Sequence, residues 1–339
     1  MRPGNRSGRL RARLWRLPAP PRRKCPQDLL RLALAYGPGG LSLRQAAAWA
    51  QAHGVAVLSD VALLKRLSRA AEWLAALAGA LLAGPGSHSP AERRLRLIDA
   101  SAICQPGADR ITWRLHVLFD PQAAGLVDFA LTDARGAETL SRFGFAPGEI
   151  GIADRCYARP GALRPVLEAG ADLIVRVGWN SLRLLGPEGA PFELSAALAS
   201  GASEHAVWID EHRADGACLG LRLIVAALPE SKAEEARRRL RRAARKKGRT
   251  ADARSLMAAG FMMVLTSLPS AAYPPERVLA LYRLRWQVEL AFKRLKSLLH
   301  LDRLPAQDPH LARAWISAHL IAAVLIETMA QEMVRAFPP

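Results

Sequence analysis

Between residues 93 and 177 the apolar residues fall into short runs divided by turn formers, and this pattern narrows the fold more than any other feature of the chain. The runs 95–99, 111–119 and 126–131 have strand length, the second with partial alternation, and read as an antiparallel meander. Residues 137–143 are expected to be helical, 150–153 a fourth strand, 161–169 a helix and 173–177 a fifth strand. Three strands, helix, strand, helix, strand describes an α/β chain with a mixed sheet and flanking helices. Two acids punctuate it: Asp99 closes the first run in LIDAS, and Asp154 follows the fourth in IADRCY.

This order is that of a ribonuclease H-like core, in which the first strand is central and the fourth lies beside it. Asp99 and Asp154 then become neighbours. Carboxylates on adjacent strands repel unless a hard divalent cation sits between them, where they serve phosphoryl transfer. Taken singly, each acid is better read as a strand-end cap or a salt-bridge partner, and the strand order weakens that reading for the two together.

Residues 282–296, YRLRWQVELAFKRLK, form the second landmark. On one continuous helix Tyr282, Arg285, Glu289 and Lys296 share a narrow face, while Leu281, Leu284, Val288, Ala291, Leu295 and Leu299 make a separate apolar stripe. Alone, the segment is as well described as an amphipathic surface helix with intrahelical ion pairs. With the two acids, it resembles the DDE transposases of bacterial insertion sequences, in the insertion-sequence-four branch marked by Tyr-x2-Arg-x3-Glu-x6-Lys. The four residues match that spacing, and the resemblance runs from about residue 26 to the end.

The resemblance implies that Asp99, Asp154 and Glu289 are catalytic and hold Mg²⁺, with Mn²⁺ able to substitute. Arg285 and Lys296 would contact phosphates, and Tyr282 the adjacent backbone; Trp286 would either stack on an unpaired base or pack in the core. The activity implied is nicking at the element's ends, then attack of the freed 3′-hydroxyl on target double-stranded DNA, by a homodimer in the synaptic complex. Cys156 stands where the family usually has Gly in Asp-Arg-Gly-Tyr, and would be strained if that position needs a positive φ. Two rivals are a decayed copy that binds DNA without cutting, and a nuclease of the same fold without strand transfer.

Composition points the same way. Among 339 residues, 48 Lys and Arg against 30 Asp and Glu give a net charge of +18, which favours a polyanionic partner, although an arginine-rich coding bias gives the same excess. Four scattered cysteines without a CxxC pair suggest neither a zinc site nor a disulfide framework, and fit a reducing cytoplasm. The apolar runs 73–83 and 316–326 are too short for a bilayer, so no membrane partner is expected, and a closing helix is expected over 311–333.

The expected organisation has four parts. Residues 1–25 form a disordered basic tail, with nine basic and no acidic side chains before Cys25. A helical DNA-binding region spans 26–90. Within it are helices over 27–36, from the Ser42 cap to 53, and from a Ser59 or Asp60 cap through 69, compatible with a helix-turn-helix or with a plain bundle; a linker occupies 84–90. The catalytic core takes 91–177 and 271–339. A β-rich insertion at 178–270 carries strand-like runs 205–210, 219–228 and 261–266. It also holds a basic helix over 234–249, whose Arg238, Arg241, Arg242 and Arg245 contact DNA phosphates or form a solvated face.

Overall fold

The computed structural model describes residues 25–83, 93–107, 112–201, 203–210, 218–302 and 304–337. The basic stretch 1–24 and the linker 84–90 lie outside them. The chain opens with α1 (Pro26–Tyr36), α2 (Leu43–Ala52), α3 (Asp60–Arg69) and α4 (Ala71–Leu82), followed by β1 (Leu95–Ile103), β2 (Trp113–Asp120) and β3 (Gly125–Asp133). Next come β4 (Ile150–Ala153), α5 (Pro160–Glu168), β5 (Asp172–Arg176), β6 (Leu184–Leu185), α6 (Leu194–Ala199), β7 (Glu204–Asp210) and β8 (Cys218–Ala227). It closes with α7 (Glu230–Lys246), α8 (Ala253–Ala258), β9 (Phe261–Thr266), α9 (Pro275–Arg283), α10 (Trp286–Leu299) and α11 (Pro309–Ala336). Two compact units share these elements. The described parts of Met1–Ser87, Ala100–Gly136 and Val288–Pro339 form one, and those of His88–Asp99 and Ala137–Gln287 the other.

In the first unit local chemistry sets the helix ends. Ser42 and Gln45 form a reciprocal capping box, with the Ser42 amide donating to Gln45 Oε1 at 3.0 Å and the Gln45 amide to Ser42 Oγ at 3.3 Å. Gly54, at φ +68°, follows the end of α2, and Ser59 rather than Asp60 caps α3 by accepting from the Ala62 amide. The first half of α11, from Leu311 to Ala322, is the core against which α1, α3 and α4 pack. This helix is longer than the sequence suggests. By length and composition it is the one described helix that could cross a membrane, yet 56% of its apolar window is buried in the fold. Strands β2 and β3 form an antiparallel hairpin against α4. Its buried polar groups are used internally: His116 Nε2 lies 3.0 Å from Thr132 Oγ1, and Asp120 accepts from the Gln122 and Ala123 amides.

In the second unit the strands run β1-β4-β5-β9-β8-β7-β6, parallel from β1 to β5 and antiparallel beyond. The mixed α/β class expected from sequence is what forms. The strands from 178–270 continue the same sheet, because β9 pairs with β5 on one side and β8 on the other. A buried ion pair pins the β1–β4 start: Arg96 Nε and Nη2 donate to Glu149 Oε1 at 2.8 and 2.7 Å, while Glu149 Oε2 accepts from the Ala146 amide. Two expectations are corrected here. Residues 137–143 are irregular except for a single 3₁₀ turn, Leu140–Arg142, which needs only buried Leu140 and Phe143 at its ends. Asp172, which the sequence alone suggests is a surface acid, is instead half-buried and held by Arg93 Nη2 and Ser267 Oγ, both of which donate to it.

Candidate active site

The two acids stand side by side in the second unit. Ile98 of β1 pairs in register with Ala153 of β4, so Asp99 and Asp154 each lie one residue past a matched pair, on strands about 4.8 Å apart. Equal phase in parallel neighbours sends both carboxylates to the same face. Asp154 directly follows β4 as expected. Asp99 sits inside β1 rather than at its end, because the strand continues through Ala100 to Ile103.

The signature segment is not one helix. It breaks at Leu284–Arg285, where the amides of Leu284, Arg285 and Gln287 bond three residues back, to Leu281, Tyr282 and Leu284 at 3.1, 3.0 and 2.9 Å. Such bonds tighten the chain to about three residues per turn, so residues three apart eclipse. Tyr282 and Arg285 are therefore aligned. Tyr282 donates its hydroxyl to Asp154 Oδ1 at 3.3 Å, and Arg285 Nη1 lies 3.5 Å from Asp99 Oδ2. Tyr282 is buried rather than part of an exposed polar line; burial chiefly, and Asp154 next, push its hydroxyl up to about 12, so it stays a neutral donor.

Sequence reasoning missed Arg176, whose Nη1 lies 3.9 Å from Asp154 Oδ1. The signal was present. Val175 pairs with Ala153, so in a β4–β5 neighbour arrangement the residue ending β5 stands beside the acid that follows β4.

Other expected site residues fall as follows. Cys156 occupies a 3₁₀ turn, Arg155–Tyr157, and is not among the described non-glycine residues with positive φ, so the expected strain is absent. Burial, then the charge and hydrogen bond of Glu138, push its thiol up, away from the reactive thiolate. Trp286 is 53% exposed, which removes the core-packing alternative. Glu289 is exposed and Lys296 half-buried, both on the part of α10 that belongs to the first unit. On α7, Arg238, Arg241, Arg242 and Arg245 are all exposed. Arg241 lies 3.6 Å from Glu234, and Arg237 and Arg239 pair with acids of the first turns. Arg238, Arg242 and Arg245, at spacings of four and three, share one face.

Among the described residues no three Asp, Glu, His or Cys side chains gather as a metal cage. The Asp99 and Asp154 pair nonetheless offers the hard oxygen donors that a small dication prefers, and Arg285, Arg176 and Tyr282 contact the same carboxylates.

Two carboxylates one step past a matched pair on parallel strands, beside an arginine and a neutral tyrosine, are chemically able to take part in phosphoryl transfer. The chain belongs to the DDE transposases: the model of the transposase DDE domain matches residues 90–325. It is 48% identical over 320 residues to the putative transposase InsL of insertion sequence element IS186A from Escherichia coli K12, covering 92% of this chain and 86% of that one. It is equally 48% identical, over 321 residues and with the same coverage, to the transposase of insertion sequence element IS421 from Escherichia coli. Among solved structures, a piggyBac transposase synaptic complex with hairpin DNA aligns with a TM-score of 0.43 and 10% identity, over 90% of this chain and 68% of that one. Enzymes of this family generally use divalent metal ions.

Proposed function

We propose that this transposase cuts double-stranded DNA at the ends of its insertion sequence and joins the freed ends to a target, both steps being phosphoryl transfers at one site. The observation that carries the reading is that Asp99 and Asp154 each follow the matched pair Ile98–Ala153 on parallel strands, with two residues of the Tyr-Arg-Glu-Lys signature reaching them. Strand orders β3-β2-β1 and β1-β4-β5 support a ribonuclease H-like core built from 91–177 and 271–339, with 178–270 as a β-rich insertion. Asp99, Asp154 and Glu289 would hold Mg²⁺, or Mn²⁺ in its place. When bound, the cation supplies Lewis acidity to the phosphoryl group under attack.

The chain's own side chains do the positioning. Arg285 offers a planar fork to phosphate oxygens, Lys296 a point charge, and both bring the scissile strand against the acids. Tyr282, kept neutral, orients the Asp154 carboxylate and lies against the adjacent backbone. Trp286 is free to stack on an unpaired base, a contact worth about 1–3 kcal/mol. Farther out, Arg238, Arg241, Arg242 and Arg245 grip phosphates, and the helices of 26–90 bind the element's ends in helix-turn-helix fashion. Work on two ends calls for a homodimer in the synaptic complex, acting in the bacterial cytoplasm.

The test is joining. The full chain is incubated with Mg²⁺, a labelled duplex carrying the DNA that flanks the coding sequence, and a supercoiled target plasmid. Labelled plasmid is the expected product. Cleaved duplex with no joined product reduces the activity to that of a nuclease.

A further inference from the structure

Two exposed valines mark an unused face at the start of α3. Val57 is 79% and Val61 57% exposed, although a branched aliphatic side chain gains nothing in water and is a mediocre helix former. Leu63 and Leu67 are buried and fix the rotation of α3 about its axis, and Ser68 Oγ donates to Asp308 Oδ1 at 3.1 Å from the helix's other end. Residues 61, 65 and 69, at offsets of four, therefore line up away from the core, and Val61, Lys65 and Arg69 are all exposed. The face is apolar at its N-terminal tip and cationic beyond it. Across 41–69 the only carboxylate is Asp60, which accepts from the Val61 amide at 2.8 Å, against Arg44, Lys65, Arg66 and Arg69.

We infer that Val61, with Val57 beside it, reads thymine methyl groups in the major groove of the element's ends, while Lys65 and Arg69 hold the flanking phosphates. This rests on the reading of 26–90 as the end-binding region. The first turn of a second helix is the part that meets base edges in such motifs, and the thymine 5-methyl is the apolar group the major groove displays. The cations and the near absence of acids match the phosphates on either side of that groove. The 53–59 connection is longer than the usual three or four residues, and it carries Val57 to the same end of α3 as Val61.

The experiment uses the full chain and the DNA flanking the coding sequence, with the bound segment located by footprinting and then remade with uracil for thymine. That exchange removes only the 5-methyl group. The wild type is expected to bind the uracil duplex roughly fourfold more weakly per contacted position, the equivalent of one buried methyl. Val61→Ala, which improves helix propensity at an exposed site and so keeps the fold, is expected to lose a similar factor on thymine DNA and to show a smaller thymine–uracil difference than the wild type. Lys65→Gln is expected to reduce the slope of log affinity against log salt by about one and leave the thymine preference intact. A Val61→Ala variant that retains the full thymine–uracil difference overturns the inference. So does one whose DNA binding is unchanged while its sedimentation shows loss of a dimer, which would assign the face to a second copy of the chain. Footprints on flanking DNA that are unchanged when Arg44, Lys65 and Arg69 are all replaced by Gln in the full chain would instead refute the end-binding reading beneath it.

Discussion

Removing the Glu149 carboxylate should cost the second unit more than any surface substitution, because it takes a close carboxylate away from a buried guanidinium between the two strands that carry the acids. Arg96 and Glu149 keep only 11% and 9% of their side-chain surface exposed, and Arg96 Nε and Nη2 both donate to one carboxylate oxygen while the other accepts from the Ala146 amide. In Glu149→Ala the Arg96 charge stays buried without that carboxylate and the Ala146 amide loses its acceptor. Breaking one side of such a pair costs about 3–5 kcal/mol, whereas replacing both partners with apolar residues is close to neutral. Urea unfolding followed by the far-ultraviolet signal is the assay. With a slope of about 3 kcal/mol per M, the midpoint falls by about 1 M or more in the single variant, and Arg96→Met with Glu149→Leu restores most of it. Since Asp99 and Asp154 lie three residues along from Arg96 and Gly151, partners in the β1–β4 register, the double variant should also keep cleavage activity. A single variant that loses less than about 1 kcal/mol, or a double variant no better than the single, refutes the role given to this pair.

Three further outcomes are expected. Tyr282→Phe keeps the buried ring and deletes only the hydroxyl on Asp154, so folding stability should change by less than about 1.5 kcal/mol while cleavage falls about tenfold; unchanged cleavage would remove Tyr282 from the site. Changing Arg238, Arg242 and Arg245 together to Gln should reduce the salt slope of DNA binding by about 3 without altering sequence preference, and an unchanged slope would make α7 a solvated face only. Burial holds His319 down to about 4, so unfolding takes up a proton between pH 6.5 and 4. Stability should therefore fall as pH drops through that window, by up to about 3 kcal/mol, and be flat above it; a His319→Gln variant with the same pH slope would contradict this.

How far the sequence carried the fold follows from what each segment depends on. Strand β4 with Asp154 after it, β9 and the α7 helix were legible because short apolar runs and a dense helix-favouring run are local signals. The break after Arg283 was not, since 282–296 contains neither Pro nor Gly; the turn comes with the burial of Tyr282 toward Asp154, a contact made across 128 residues. Asp99 was read as a strand end because Ala100, Ser101 and Ala102 have weak strand preference, and pairing with neighbouring chain overrides it. The Arg96–Glu149 pair leaves no trace in the sequence at all. Of the candidate site, the adjacency of the two acids was legible from the strand order, and Tyr282 and Arg285 from spacing and resemblance, whereas the single helix face joining them to Glu289 and Lys296 does not form and Arg176 became visible only once β5 was placed next to β4.

The most direct measurement is Mg²⁺-dependent cleavage of the DNA flanking the coding sequence by the wild type and by Asp99→Ala, Asp154→Ala and Glu289→Ala, each with its DNA affinity measured in parallel. The account predicts that the wild type cuts and that all three variants bind with near wild-type affinity but do not cut. A wild type that binds and never cuts in Mg²⁺ or Mn²⁺, or a carboxylate variant that cuts at the full rate, would contradict it.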